Sequence, residues 1–302
     1  MGMRQDYVIK SLGRWAKPAR MLRRRVRMAM KTQPTLYRRT VLEAVALGAA
    51  GRTAAAQAPA AQDPWPSLAA QIFAGRPLLD GRAVLAIDAP YRAEDAALVP
   101  VGLHSLLTAG DERRIRSITL VIDANPSPLA AVFLPGTDSG IRDLSTRVRV
   151  DDYTNLHAVA ELSDGSLYAS ARFVKAAGGC SAPAAKLEAD GIPLGTMRFR
   201  QFPPPEGAAP GLREAQLLIR HPNYTGMQMD QLTRLYVPAH FVTSVRIWQG
   251  DDLLLSIKGG ISISENPAFR FDYRPNGAGS FRAEMDDSEG KSFKQEWPAA
   301  RA

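Results

Sequence analysis

The chain has 302 residues, enough for about two average domains, and its 45% apolar and 23% charged residues exclude wholesale disorder, a collagen-like repeat or a long coiled coil. The formal charge of +8 sits at one end: residues 1–52 hold 13 of the 38 Lys and Arg with only Asp6 and Glu43 as acids, whereas the rest carries 25 bases against 28 acids. No basic stripe with interleaved aromatics is left to grip a phosphate backbone, so the composition argues against nucleic acid.

Residues 1–58 read as an N-terminal extension and an export signal. Arg38-Arg39-Thr40-Val41-Leu42 pairs two arginines with a short apolar run, and small residues follow around Ala54-Ala55-Ala56-Gln57-Ala58. The weakly hydrophobic, Ala-rich run favours the twin-arginine route and a periplasmic destination. Tyr37 before the arginines departs from that motif. Arg23-Arg24-Arg25-Val26-Arg27 lies upstream, and Met28 and Met30 are alternative starts to Met1. The run Val41 to Ala50 contains Glu43 and is half the roughly twenty residues a spanning helix needs, so no membrane anchor is expected.

Beyond the signal the pattern is mainly β. Leu68, Ile72 and Phe73 predict one short amphipathic helix. Ile118, Leu120 and Ile122 share a strand face, and Val148 and Val150 alternate with Arg147 and Arg149. Leu156 to Leu162 and Leu167 to Phe173 flank Ser163-Asp164-Gly165-Ser166, the pattern of a hairpin with a solvated face that carries His157. The period is lost between Ala176 and Gly195, which is rich in Gly, Ala and Pro and reads as a flexible arm or linker. Alternation resumes in Ala215–Arg220, Val245–Ile247, Leu253–Ile257, Phe269–Tyr273 and Phe281–Met285, with turns at Pro275-Asn276-Gly277 and Asp287-Ser288-Glu289-Gly290. The expected organisation is two immunoglobulin-like β-sandwich domains, 63–175 and 196–297, joined by the 176–195 linker.

The chemistry narrows to one group. Cys180 is the only cysteine, so it cannot form a disulfide within the chain. Gly178 and Gly179 before it and Ser181-Ala182-Pro183 after it predict an exposed thiol on a flexible arm, with Lys175 favouring the thiolate. The competing reading is a small buried hydrophobe. His104, His157, His221 and His240 lie at no metal-ligand spacing, and each reads as structural or surface. There is no P-loop, Gly-x-Gly-x-x-Gly, Gly-x-Ser-x-Gly or His-Glu-x-x-His motif. No catalytic residue, metal or cofactor is assigned.

Phe173-Val174-Lys175-Ala176-Ala177-Gly178-Gly179-Cys180 resembles the end of SoxY, the sulfur-carrier subunit of the periplasmic thiosulfate-oxidising system. Ile219-Arg220-His221-Pro222, Val237-Pro238-Ala239-His240-Phe241 and Ile263-Ser264-Glu265-Asn266-Pro267-Ala268-Phe269 resemble SoxZ. The order of the halves, with His221-Pro222-Asn223-Tyr224 and Met227-Gln228-Met229-Asp230-Gln231, is similar to fused SoxYZ-like carriers associated with quinoprotein dehydrogenases. The resemblance implies immunoglobulin-like folds that pair within the chain. It implies a non-enzymatic carrier whose cysteine holds a covalent sulfur adduct, and partners among periplasmic sulfur-oxidising enzymes or cytochromes, a quinoprotein dehydrogenase, or both. In SoxY the cysteine arm ends the chain; here more than a hundred residues follow it, so the arm would meet a partner as a loop. The alternative is a non-covalent immunoglobulin-like accessory or assembly module for a quinoprotein dehydrogenase.

Overall fold

The computed structural model describes residues 63–108, 110–183, 191–203 and 211–300. The expected signal, residues 184–190 of the expected linker, and Pro204 and Pro205 lie outside them. Among the described residues the first element is α1 (Trp65–Ile72), and every later element is a strand. Trp65, Ala69, Ile72 and Phe73 set α1 against Val159, Leu167 and Ala169.

The strands before the cysteine are β1 (Leu78–Asp80), β2 (Leu85–Asp88), β3 (Val99–Ser105), β4 (Ile115–Ile122), β5 (Leu129–Pro135), β6 (Asp143–Val148), β7 (Thr154–Leu162) and β8 (Leu167–Val174). Those after it are β9 (Met197–Phe202), β10 (Arg213–Ile219), β11 (Val242–Gln249), β12 (Asp252–Gly259), β13 (Ala268–Tyr273), β14 (Ser280–Asp287) and β15 (Ser292–Pro298). The β7–β8 hairpin and the turns between β11 and β12 and between β14 and β15 fall where the sequence puts them.

Each half supplies strands to both layers, as a sandwich does, and the two sandwiches are joined edge to edge. One sheet runs β1-β8-β7-β4-β5-β12-β11-β14-β15, and the other runs β2-β3-β6-β13-β10-β9. Strands of both halves therefore lie in each layer. The seam is antiparallel on both sides: Phe133 opposes Ile257 where β5 meets β12, and Leu144 opposes Phe271 where β6 meets β13. An open strand edge is a row of unpaired backbone groups, and here each half closes an edge of the other. A core shared by both halves follows, with Phe133 and Phe269 edge-on at 6.5 Å between ring centres, one from each half. Among the described residues no helix is long and apolar enough to cross a membrane.

Two polar side chains break the sequence alternation. His157 lies on the face read as solvated, yet it is buried: its Nδ1 bonds Asp123 Oδ1 at 2.9 Å and Trp65 stacks on its ring at 3.6 Å. The α1 helix covers that face. Arg149 follows the last residue of β6 and is wholly buried, because the chain there leaves the ladder. Its N–H goes to Ser262 O, and the next residue, Val150, bonds Ala96 O.

Candidate functional site

The site forms where the end of the first half meets a loop of the second. Asn125 Nδ2 donates to Arg149 O at 2.8 Å and to Ser262 Oγ at 2.9 Å, while Asn125 Oδ1 accepts the Asp151 N–H at 2.9 Å. This clamp fixes the stretch 149–151 as a bed for the segment that carries Cys180. Gly178 N–H donates to Asp151 O at 2.8 Å, Gly179 N–H to Val150 O at 3.0 Å, and Cys180 N–H to Asp151 Oδ1 at 3.2 Å. Ala182 N–H returns to Gly178 O at 3.0 Å and closes a turn. From the second half, Thr225 Oγ1 donates to Cys180 O at 2.6 Å.

The expectation of an exposed thiol on a flexible arm is corrected here. Cys180 is 0% exposed. Gly179 is required for close approach rather than freedom: a Cβ there would overlap the Ala96 carbonyl and lie 2.6 Å from Val150 O. Gly178 does need glycine's range, at φ +77°, to turn the chain over the bed. The sequence shows no apolar alternation around Cys180 because backbone and polar groups cover it.

Burial pushes the thiol up to about 12, with Asp151 adding to the effect and Arg149 opposing it. Lys175 is not the cation that acts on the thiol; its ammonium sits over the Tyr91 ring, 4.9 Å from the centroid. Arg149 takes that place. Its Nη1 donates to Gly179 O at 3.1 Å, and its Nε and Nη2 have no hydrogen-bond partner. Desolvation pulls the guanidinium pKa down against the attraction of Glu265, Cys180 and Asp95.

The loop from His221 to His240 holds the other side. Gln228 Oε1 accepts the Thr225 N–H at 2.8 Å, which fixes the orientation of its amide, and the buried Gln228 Nε2 has no acceptor. His221 and His240, read from spacing as unrelated, converge on Asp287. His240 Nε2 donates to Asp287 Oδ2 at 2.8 Å, and His221 Nε2 lies 3.7 Å from the same oxygen. This trio is the one group of three metal-ligating side chains among the described residues. His221 Nδ1, however, accepts the Asn223 N–H at 3.1 Å, so a neutral ring carries its proton on Nε2 and has no lone pair there for a metal. The trio reads as a buried polar network that ties the loop to the β14–β15 turn. Asp287 Oδ1 accepts the Glu289 and Lys291 N–H groups of that turn, each at 2.9 Å. His221-Pro222 and Ala239-His240 were visible as motifs, but only the fold brings them together.

Comparison with known proteins agrees with this division. The family described as sulfur oxidation protein SoxY matches residues 69–180, ending on the cysteine, and the family described as sulphur oxidation protein SoxZ matches residues 204–298. No curated protein matches the chain. Among solved structures, the sulfur carrier protein SoxY from Chlorobium limicola f thiosulfatophilum is similar at 30% identity over 37% of this chain and 91% of its own, with a TM-score of 0.31. Superoxide reductase (neelaredoxin) from Ignicoccus hospitalis is similar at 16% identity over 36% of this chain and 90% of its own, with a TM-score of 0.26. The chain belongs to the SoxY and SoxZ families, one member of each joined in a single polypeptide.

Proposed function

We propose that this protein is a non-enzymatic periplasmic carrier that holds a sulfur adduct on Cys180 and offers it to partner enzymes, in the setting of a quinoprotein dehydrogenase. The observation that carries the reading is the placement of the sole cysteine. It is the last residue of the SoxY match, on a turn held to the second half through the Thr225 hydroxyl. A thiol that is fully covered and protonated is a poor nucleophile. The described conformation is therefore the resting, docked state, and loading takes place when the turn lifts. With thiosulfate as cargo, the Cys180 sulfur joins the outer thiosulfate sulfur through a new S–S bond. The thiol proton is released, and two electrons pass to a partner electron carrier of cytochrome type.

Burial of Cys180 favours a second reading, the non-covalent assembly module, in which the cysteine only packs. Intact-mass analysis separates the two. Protein is taken from the periplasm of cells grown with and without thiosulfate and with and without alcohol substrates. The carrier reading expects a sulfur-containing adduct confined to Cys180; an unmodified thiol under every growth condition leaves the module.

A further inference from the structure

Arg149 is the largest wholly buried side chain described, and two of its three nitrogens, Nε and Nη2, donate to nothing. The third holds Gly179 O, the carbonyl next to the cysteine. The Glu265 carboxylate is 3.9 Å from Nη2, beyond hydrogen-bond range. Buried donors are almost always paired, and a buried guanidinium with two idle N–H groups is the exception that asks for an absent acceptor. The two idle groups form an edge of a planar fork that matches two oxygens of one oxoanion.

We propose that Arg149 receives the anionic end of the group carried on Cys180, so that the site is built for adducts that end in a sulfur oxoanion. This rests on the carrier reading. A sulfonate attached through sulfur to Cys180 lengthens the side chain and brings oxygens to the idle Nε and Nη2 edge, while Nη1 keeps Gly179 O. The carboxylates that face this position are Asp151, whose Oδ1 accepts the Cys180 N–H, together with Asp95 and Glu265. They repel an anionic adduct, and Arg149 is the cation that offsets them. A neutral adduct gains nothing from the guanidinium.

The test loads the full chain chemically. In mild urea the Cys180 thiolate displaces thiosulfate from tetrathionate and keeps an S–SO3− group. In a parallel sample it displaces methanesulfinate from methyl methanethiosulfonate and keeps a neutral S–CH3 group. After removal of urea, the half-life of each adduct under dithiothreitol is measured by mass in wild type, Arg149→Gln and Arg149→Lys. Arg149→Gln is expected to shorten the life of the oxoanion adduct about tenfold or more, the scale of a charged hydrogen bond, and to leave the methyl adduct within about twofold. Arg149→Lys keeps the charge without the fork and falls between. If the glutamine variant does not fold, the lysine variant decides: it must shorten the oxoanion adduct's life alone. Equal acceleration of both adducts reduces Arg149 to a support for the turn and overturns the proposal, as does no change in either. Chemical loading makes this result independent of whether cells load the protein, so a clean thiol in the periplasm defeats the carrier reading without touching it.

Discussion

Thr225 Oγ1 donates to the carbonyl of Cys180 at 2.6 Å across the seam between the two halves. The hydroxyl has one proton, and Gln228 Oε1 lies 2.9 Å from the same oxygen. The two oxygens compete for that proton, and the Cys180 carbonyl is the nearer acceptor. The SoxZ half thus adds this side-chain bond to a segment that the first half already holds through the N–H groups of Gly178, Gly179 and Cys180 and through Arg149 Nη1 on Gly179 O.

Removing that bond tests the docked state. Thr225→Val is close in volume but donates nothing, and a lost buried hydrogen bond of this kind costs about 1 to 3 kcal/mol. Alkylation of native Cys180 by iodoacetamide, slow in wild type relative to the denatured chain, is expected to accelerate about tenfold, because it proceeds through the lifted state. The docked thiol also titrates far above its ordinary value of 9.0, at about 12. A raised pKa means the docked form keeps a proton that the lifted form gives up. Docking is therefore strongest below pH 9 and weakens as pH rises from 9 toward 12. The thermal stability of wild type should fall relative to Cys180→Ala across that window, and parallel curves would remove the buried thiol as the cause.

Gly179 gives a sharper perturbation. Because its missing Cβ is replaced in space by the Ala96 and Val150 carbonyls, Gly179→Val cannot dock without moving backbone. The variant is expected to label at Cys180 nearly as fast as the denatured protein while its circular dichroism stays native, since the turn lies outside both sheets. Slow labelling with an unchanged melting temperature would contradict the packing described here. Gly178→Ala meets only Ser181 Oγ, at 3.9 Å, but sits at φ +77°, so it should be milder, costing about 1 kcal/mol of docking.

The strands, the hairpin at 163–166 and the identity of the reactive residue are legible in the sequence because each depends on local alternation, turn chemistry or a motif. The burial of Cys180 is not. Its cover comes from Asp151, Ala96 and Thr225, separated from it by tens of residues, and composition read the glycines as slack when they mark close contact. Alternation sets Arg149 on the face opposite Val148 and Val150, yet it is wholly buried. One residue past the end of β6 the period-two rule no longer applies, since the ladder that enforces it has ended. His157 failed for another reason: the alternation is real, but a helix from the other end of the domain covers its outer face.

Two buried groups set opposing responses to acid. His221 is pulled down to about 4, first by burial and then by His240. The folded chain resists protonating it, so its contribution is full above pH 6.5 and is lost as pH falls toward 4. Asp272 is raised to about 6 by burial, although it accepts the Arg142 and Asp143 N–H groups. The folded chain binds that proton more readily than the unfolded one, so stability is gained as pH falls from 6 toward 3.8. Between pH 6 and 4 the two cancel in part. His221→Asn keeps an acceptor for the Asn223 N–H and leaves Asp272 acting alone, so urea stability relative to wild type should rise on acidification. Asp272→Asn should make it fall. One proton limits either slope to about 1.4 kcal/mol per pH unit. The same slope in both variants would show that neither group carries the shift described.

The continuity of the two sheets predicts how the halves behave when the chain between them is cut. A protease site placed within residues 184–190 leaves β5 against β12, β6 against β13 and the Phe133–Phe269 contact intact. Cleavage removes the effective concentration that the linkage supplies, and nothing else from the core. A seam formed by two strand pairs over a shared apolar core resembles an obligate interface, because separation would expose Phe133, Phe269 and Phe271, each worth about 1.5–3 kcal/mol when buried. The cut protein should therefore elute as one species at micromolar concentration. Its melting temperature should become concentration-dependent, as that of the uncut chain should not. Cys180 belongs to one fragment and Thr225 to the other, so thiol protection reports the seam directly: it should persist in the cut complex and vanish when the fragment carrying Cys180 is isolated. Fragments that separate at once, each folded and monomeric, would mean that the seam strands pair only because the chain forces them together.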